Sequence, residues 1–305
     1  MNCFILTAGS TYLDIDAYAC MVAMAELLCL QGKNAIAYSN APCNYSVCPS
    51  LLSDNQMQTT LPSRYAPESA KFIIVDVSDP NYLAKNVPLT NVIAVYDHHV
   101  GFEDYWMSRI GANARIEFIG AAATLIYREW KKAGLADKMQ VGTAKLLIAA
   151  ILDNTLNLIS SVTTKEDREM FSELCEIAGV DETFSAAYFS EVQKSVEADL
   201  RNALFGDVKS LRGNPVLPSY MGQMAVWNVE SVIDRLPEIR AWFDDRYGSW
   251  MLNIIDIQHN CNYFVCDSTE HQAKIEKVFD VQFKSGIAKT PISYLRKEII
   301  KKTVF

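Results

Sequence analysis

The chain opens on a short apolar run, "CFILTA" (residues 3–8), and a longer one, "DAYACMVAMAELLCLQG" (16–32), follows within ten residues. The second has the length and composition of a helix, and Gly32 is placed to end it. Three further apolar runs, "AIAY" (35–38), "KFIIVD" (71–76) and "NVIAVYD" (91–97), are continuous rather than alternating. Continuous runs suit strands buried on both faces, as in a parallel sheet. "AAATLIYREWKKAG" (121–134) and "GTAKLLIAAILDNT" (142–155) read as helices. Strand and helix patterns in succession predict a doubly wound, mainly parallel α/β domain over residues 1–200.

Residues 164–204 keep a helical pattern with more charge and contain no Gly/Ser-rich linker, so the junction is placed by pattern at Leu200 to Gly206. Beyond it, "QMAVWNV" (223–229), "SWMLNIIDI" (249–257) and "NYFVCD" (262–267) read as strands, interleaved with helical stretches around 229–245 and 269–280. They predict a second, smaller α/β domain over 206–305. The sequence contains no internal repeat.

Composition narrows the function classes. Half of the 305 residues are hydrophobic and 21% are charged, enough for a sizeable core. A formal charge of −8 argues against a nucleic-acid binder with a basic face, yet allows a small anionic substrate held by a local basic cluster. The apolar stretch from Ala17 is broken at Glu26, too early for a membrane span. Residues 1–8 read as a strand rather than a secretory segment. The eight cysteines are therefore expected to be free thiols in a reducing cytoplasm. Cys43 and Cys48 are spaced too widely for a zinc-type pair.

The candidate chemistry lies where apolar segments end. Asp14 and Asp16 follow the first run, Asp76 ends "KFIIVD", and "VIAVY" runs straight into Asp97, His98 and His99, while Asp153 closes a helix-like segment. In an open parallel sheet, ligands bind outside the carboxyl ends of the strands, so these side chains could share one crevice. A single Asp after a strand is ordinarily a turn former or helix cap, as Asp79 before Pro80 reads here. So many carboxylates with an imidazole form a different pattern, which suits hard or borderline divalent ions such as Mn2+ or Mg2+. More carboxylates than one ion needs suggests two ions, a pairing that activates water and offsets phosphoryl charge.

With Asp97-His98-His99 the chain resembles the DHH phosphoesterase superfamily. The ordered set is "DID" (14–16), "VDVSDP" (75–80), "DHH" (97–99), "GAAATLIY" (120–127) and "ILDNTLNL" (151–158), followed by "TTKED" (163–167). "GDVKSL" (206–211) and "ISYLRKEII" (292–300) extend the likeness to the DHHA2 branch, that of manganese-dependent inorganic pyrophosphatases and exopolyphosphatases. The resemblance implies an active site in an interdomain cleft, with two divalent ions, Mn2+ or Mg2+, as cofactors. It implies Asp14, Asp16, Asp76, His98 and Asp153 as metal ligands, Asp76 bridging. His99 would meet the phosphate, and Asp97 would support the imidazoles. Lys209, Arg296 and Lys297 would bind substrate from the second domain; taken alone, the last two also read as a solvated basic tail with Lys301 and Lys302.

One position departs from that pattern. The pyrophosphatases carry a histidine four residues before the first Asp of the DxD, and Ser10 stands there in this chain, as exopolyphosphatase-like members also lack that histidine. The expected activity is metal-dependent hydrolysis of a phosphoanhydride bond in pyrophosphate or short polyphosphate. The rival readings are a non-catalytic phosphate-ligand binder or interaction protein, motivated by Ser10, and an oligonucleotide phosphodiesterase, disfavoured by the DHHA2 likeness. The expected partner is a small phosphate-containing substrate, without membrane or nucleic acid, and a homodimer is compatible with the sequence. His259 in "DIQHN" reads as a locally satisfied histidine.

Overall fold

A computed structural model of the chain describes residues 3–52, 57–61 and 69–304. The chain divides into two compact units, Met1–Leu158 with Val162–Ser185, and Ile159–Ser161 with Ala186–Phe305.

The first unit is built on five strands: β1 (Cys3–Thr7), β2 (Asn34–Ala37), β3 (Lys71–Val75), β4 (Val92–Asp97) and β5 (Ala114–Ile116). They lie in the order β2-β1-β3-β4-β5 and every neighbouring pair is parallel. Its helices are α1 (Ile15–Leu30), α2 (Glu103–Ile110), α3 (Ala122–Ala133), α4 (Val141–Asn154) and α5 (Lys165–Ala178). Side chains alternate across a strand. Ile5, Phe72, Ile74 and Val95 therefore share one face, where Trp106 of α2 joins their cluster. Leu6, Ile73 and Val75 are buried on the other. There α1 lies against β1, β2 and β3 and packs with α3 and α4, and α4 packs with α5. α1 and α4 are apolar almost all round because neighbours cover them on most sides. The doubly wound parallel architecture expected from the apolar runs is the one observed.

α6 (Thr183–Ala198) runs across the boundary between the units, so no linker composition marks it. The junction expected at Leu200 to Gly206 coincides with α7 (Leu200–Gly206), inside the second unit. That unit holds β6 (Val208–Ser210), β7 (Tyr220–Val226), β8 (Trp250–Asp256), β9 (Cys261–Val265) and β10 (Ile287–Lys289) in the order β10-β9-β8-β7-β6. Only β7 and β8 pair in parallel; the other neighbours are antiparallel. Its remaining helices are α8 (Glu230–Ile233), α9 (Leu236–Arg246), α10 (Thr269–Phe279) and α11 (Arg296–Thr303). Met221, Met251, Phe264, Ile275, Phe279 and Ile299 centre its core.

The eight cysteines, all among the described residues, form no disulfide. Among the described residues, no helix is long and apolar enough to cross a membrane.

Candidate metal centre

In the strand order β2-β1-β3, the chain leaves β1 toward one side for β2 and returns to the other for β3. The carboxyl ends of β1 and β3 thus flank a topological switch point, where a crevice opens in such sheets. The segments that follow β1, β3 and β4 bring Asp14 and Asp16, Asp76, and Asp97 to His99 to this end of the sheet.

Each side chain there is placed by its local backbone. Asp14 is the N-cap of α1 and accepts from Ala17 N at 2.9 Å, while Asp16 lies in that helix's first turn. Asp16 is fully buried, and its carboxylate receives the amides of Ala122 and Ala123 at 2.8 Å each. Those are free donors at the start of α3, where the helix dipole favours negative charge. Asp76 directly follows β3 in a left-handed conformation, φ +56°, which Asp tolerates better than most residues. That turn directs its side chain, 5% exposed, at the histidines: Oδ1 lies 3.4 Å from His98 Nε2, which in turn lies 3.9 Å from Asp16 Oδ2. Asp97 ends β4 and folds its buried carboxylate back on the chain. One oxygen, Oδ1, accepts from His98 N at 2.8 Å, His99 N at 3.1 Å and His99 Nδ1 at 2.9 Å.

The two imidazoles differ in role. His98 is buried and its Nδ1 donates to the Ile119 carbonyl at 3.2 Å, which leaves Nε2 as a lone-pair donor facing Asp76. His99 has 59% of its side chain exposed and its Nδ1 held by Asp97. The same Nδ1 is the atom nearest Asp76, at 3.9 Å, so the nitrogen bound to Asp97 is not available to an ion.

The electrostatics call for a cation. Burial, and then the charge of Asp14, pushes the Asp16 carboxyl up to about 7. Burial, followed by Asp14, Asp16 and Asp97, pushes Asp76 well above the usual carboxylate range. Burial also acts to raise Asp97, but the hydrogen bond and charge of His99 outweigh it and hold that carboxyl low. Asp76 Oδ1 is buried and accepts no hydrogen bond, a costly state for a carboxylate oxygen. Among the described residues, Asp76, His98 and His99 form a group whose candidate ligand atoms all lie within 4.8 Å of one another. Crowded, raised carboxylates beside an imidazole nitrogen fit a hard or borderline divalent ion.

The structure thus brings together Asp14, Asp16, Asp76, Asp97, His98 and His99. Asp153 lies half-buried in the last turn of α4, ahead of three successive left-handed residues, Leu156, Asn157 and Leu158. Ser10 is exposed, and its amide and hydroxyl donate to the Tyr82 carbonyl at 2.8 and 2.9 Å. In the second unit, Lys209 lies on β6 and Arg296 and Lys297 open α11. Arg296 is buried rather than solvated. Its guanidinium donates to the Asp207 carbonyl at 2.9 Å and to that residue's carboxylate. Partial burial and then the charge of Arg296 lower the Lys209 ammonium. A buried set of amides positions Arg296. Asn253 and Asn262 donate to the Tyr294 carbonyl at 3.1 and 2.7 Å, and Gln223 Oε1 accepts from Arg296 N at 2.5 Å. His259 is held by Asp256, Nδ1 to carboxylate at 3.0 Å, as its reading as a locally satisfied histidine anticipated.

The groups missed in the sequence are mainly backbone: the Ile119 carbonyl and the Ala122 and Ala123 amides. Their one sequence signal is "GAAAT", small residues that permit close approach.

No family model matches the chain. A Deinococcus radiodurans protein named "Probable manganese-dependent inorganic pyrophosphatase" is 25% identical over 302 residues, covering 95% of this chain and 94% of that protein. A Bacillus velezensis protein of the same name is 26% identical over 295 residues, 93% of this chain and 92% of its own. Among solved structures, a Methanococcus jannaschii protein provisionally called a family II inorganic pyrophosphatase superposes with a TM-score of 0.65 at 18% identity, covering 98% of this chain and 99% of that one. An exopolyphosphatase-related protein from Bacteroides fragilis gives 0.54 at 12% identity, covering 99% and 90%. The two superpositions speak for the fold. With the sequence relatives, they bear out the resemblance to the DHHA2 branch of the DHH phosphoesterases over nearly the whole chain.

Proposed function

We propose that this protein is a metal-dependent phosphoanhydride hydrolase acting on pyrophosphate, with short polyphosphate as the related substrate. The observation that carries the reading is the buried set of Asp76 and His98 beside the raised Asp16 at the switch point of the sheet, with His99 at its edge. The manganese-dependent pyrophosphatases to which the chain is similar support the same chemistry.

Asp14, Asp16, Asp76, His98 and Asp153 would hold two divalent ions, Mn2+ or Mg2+. When bound, such ions activate water and offset charge on the phosphoryl group. His98 presents Nε2 because its other nitrogen is committed to Ile119. His99, anchored by Asp97 and otherwise in solvent, is free to hold or pass a proton at a phosphate oxygen through Nε2. Lys209, Arg296 and Lys297 are assigned to the polyanion's remaining charge. Arg296 has donors beyond those given to Asp207, and its rigid fork suits phosphate oxygens. The same reading assigns the protein to the cytoplasm.

Phosphate release from pyrophosphate and tripolyphosphate, and cleavage of a dinucleotide to its mononucleotide, each with and without Mn2+, test the proposal. Metal-dependent release from pyrophosphate is expected. Cleavage of the dinucleotide alone would point to a phosphodiesterase, and hydrolysis of none of the three to a binding protein. Ser10 bears on the second substrate. Its hydroxyl is committed to Tyr82, so it supplies no imidazole-like ligand, as in exopolyphosphatase-like proteins, and comparable rates on tripolyphosphate would match.

A further inference from the structure

We propose that Asp167, which is not among the assigned metal ligands, is the positioning residue of the metal centre, acting through the segment 119–123. The inference rests on the metal-dependent reading above and adds to it.

That segment carries two contacts to the site. The Ile119 carbonyl fixes the His98 ring by accepting from Nδ1, and the Ala122 and Ala123 amides fix both oxygens of Asp16. A displacement of 119–123 therefore moves an imidazole and a carboxylate together. The segment is itself held from behind. Asp167 is fully buried in the first turn of α5 and accepts from Gly120 N at 2.9 Å and from Thr124 Oγ1 at 2.6 Å. Two more donors reach the same carboxylate from the N-cap of α5, Thr164 N at 2.7 Å and Thr164 Oγ1 at 2.8 Å.

A helix cap alone would need only the Thr164 contacts. The donors from Gly120 and Thr124 come from far along the chain and have no part in capping α5. The approach is close enough to exclude any side chain at residue 120, where a Cβ would stand 2.5 Å from Asp167 Oδ2 and 2.6 Å from Thr155 Cγ2. Thr155 sits two residues after Asp153 and receives Leu158 N at 3.0 Å on its hydroxyl, which ties the end of α4 to the same cradle. One buried carboxylate thus sets the place of the groups that orient Asp16 and His98, and Gly120 abuts the turn beside Asp153. This accounts for two sequence features left without a role, "GAAAT" and the Asp of "TTKED".

The test compares Mn2+ binding, by calorimetry and by the electron paramagnetic resonance of bound Mn2+, with metal-free thermal unfolding. The variants are Asp167→Asn, Thr124→Val, Thr124→Ser and Thr164→Ala. Loss of an outer contact to a metal ligand commonly weakens binding about 10- to 100-fold. Asp167→Asn and Thr124→Val should fall in or near that range with altered resonance spectra. Thr124→Ser, which keeps the hydroxyl, should restore parental affinity. Thr164→Ala, which removes the cap hydroxyl and keeps the segment's two donors, should lower the unfolding temperature and leave affinity within about twofold. If Asp167→Asn does not fold, the Thr124 pair decides. Parental affinity in Thr124→Val, or an equal loss in Thr164→Ala, overturns the positioning role and leaves the metal reading standing. A parent chain that binds no divalent ion overturns both.

Discussion

Replacing Asp76 by Asn is the cleanest perturbation of the centre. The residue sits at φ +56°, a conformation that Asn tolerates as well as Asp does, and its side chain is 5% exposed, so an amide of the same shape disturbs neither backbone nor packing. What changes is one negative charge. Unit charges about 4 Å apart interact by about 4 kcal/mol at an effective dielectric of about 20. The amide oxygen and local relaxation recover part of this. A net loss of about 2.7 kcal/mol is about a hundredfold in affinity. At Mn2+ about a hundredfold above the parent's dissociation constant, binding stabilises the parent by about 2.7 kcal/mol and the variant by about 0.4 kcal/mol. For a unit of this size the difference is about 5 to 9 °C in unfolding temperature. Without metal, burial and the neighbouring acids already favour the protonated form of Asp76, which Asn imitates. The metal-free transitions of parent and variant should therefore agree within about 2 °C. Calorimetric scans of both proteins, with chelator and with Mn2+, measure all four values, and pyrophosphate hydrolysis gives a fifth readout that should be lost. An undiminished Mn2+-induced rise would show that Asp76 holds no ion. A metal-free transition several degrees lower would make it a structural acid.

Three further outcomes are expected. Ser10→His should tighten one divalent site in a metal titration, at the small cost of the hydroxyl's bond to Tyr82; unchanged affinities would mean that position 10 does not face the ions. Arg296→Ala should lower kcat/KM for pyrophosphate about 10- to 100-fold, as suits a charge-assisted contact, with Mn2+ affinity intact. It should also destabilise the second unit by leaving Asp207 without its partner; normal kcat/KM would reduce Arg296 to a structural ion pair. Asp16, raised from 3.8 to about 7 in the metal-free fold, binds its proton more tightly folded than unfolded. Its contribution is fully present below about pH 4 and is lost as pH rises toward 7. Mn2+ must displace that proton, so its apparent affinity should climb between pH 5 and 7; a flat profile in calorimetry would refute the assignment.

Much of this was legible in the sequence because burial leaves a plain trace. β1, β3 and β4 stand out as continuous apolar runs, and the acids that end them lie where a parallel sheet gathers its loops. The edge strands β5, β6 and β10, three residues each, carry no such trace, being too short for a period to register. The Arg296–Asp207 pair could not be read from spacing, since 89 positions separate its members. "RKEII" has the composition of a solvated tail, yet a buried amide network places its first residue. In the sequence Asp167 stood only as the last residue of "TTKED". Its hold on Gly120 depends on packing between α3 and α5, which no local pattern records.

The interior place of β1, between β2 and β3, also governs how the site can come into being. Phe4 pairs with Lys71 on one side and with Ala35 on the other, and Tyr96 of β4 then pairs with Val75 of β3. Such pairings close long loops before any contact rewards them, which makes parallel sheets slow to form. The acids at the strand ends are scattered along the unfolded chain and meet only when this sheet is complete. A divalent ion therefore finds its cage too late to guide the search. Its influence falls on escape from the native state: Mn2+ should leave the refolding rate nearly unchanged and slow unfolding, so the ion acts as a latch on a finished sheet.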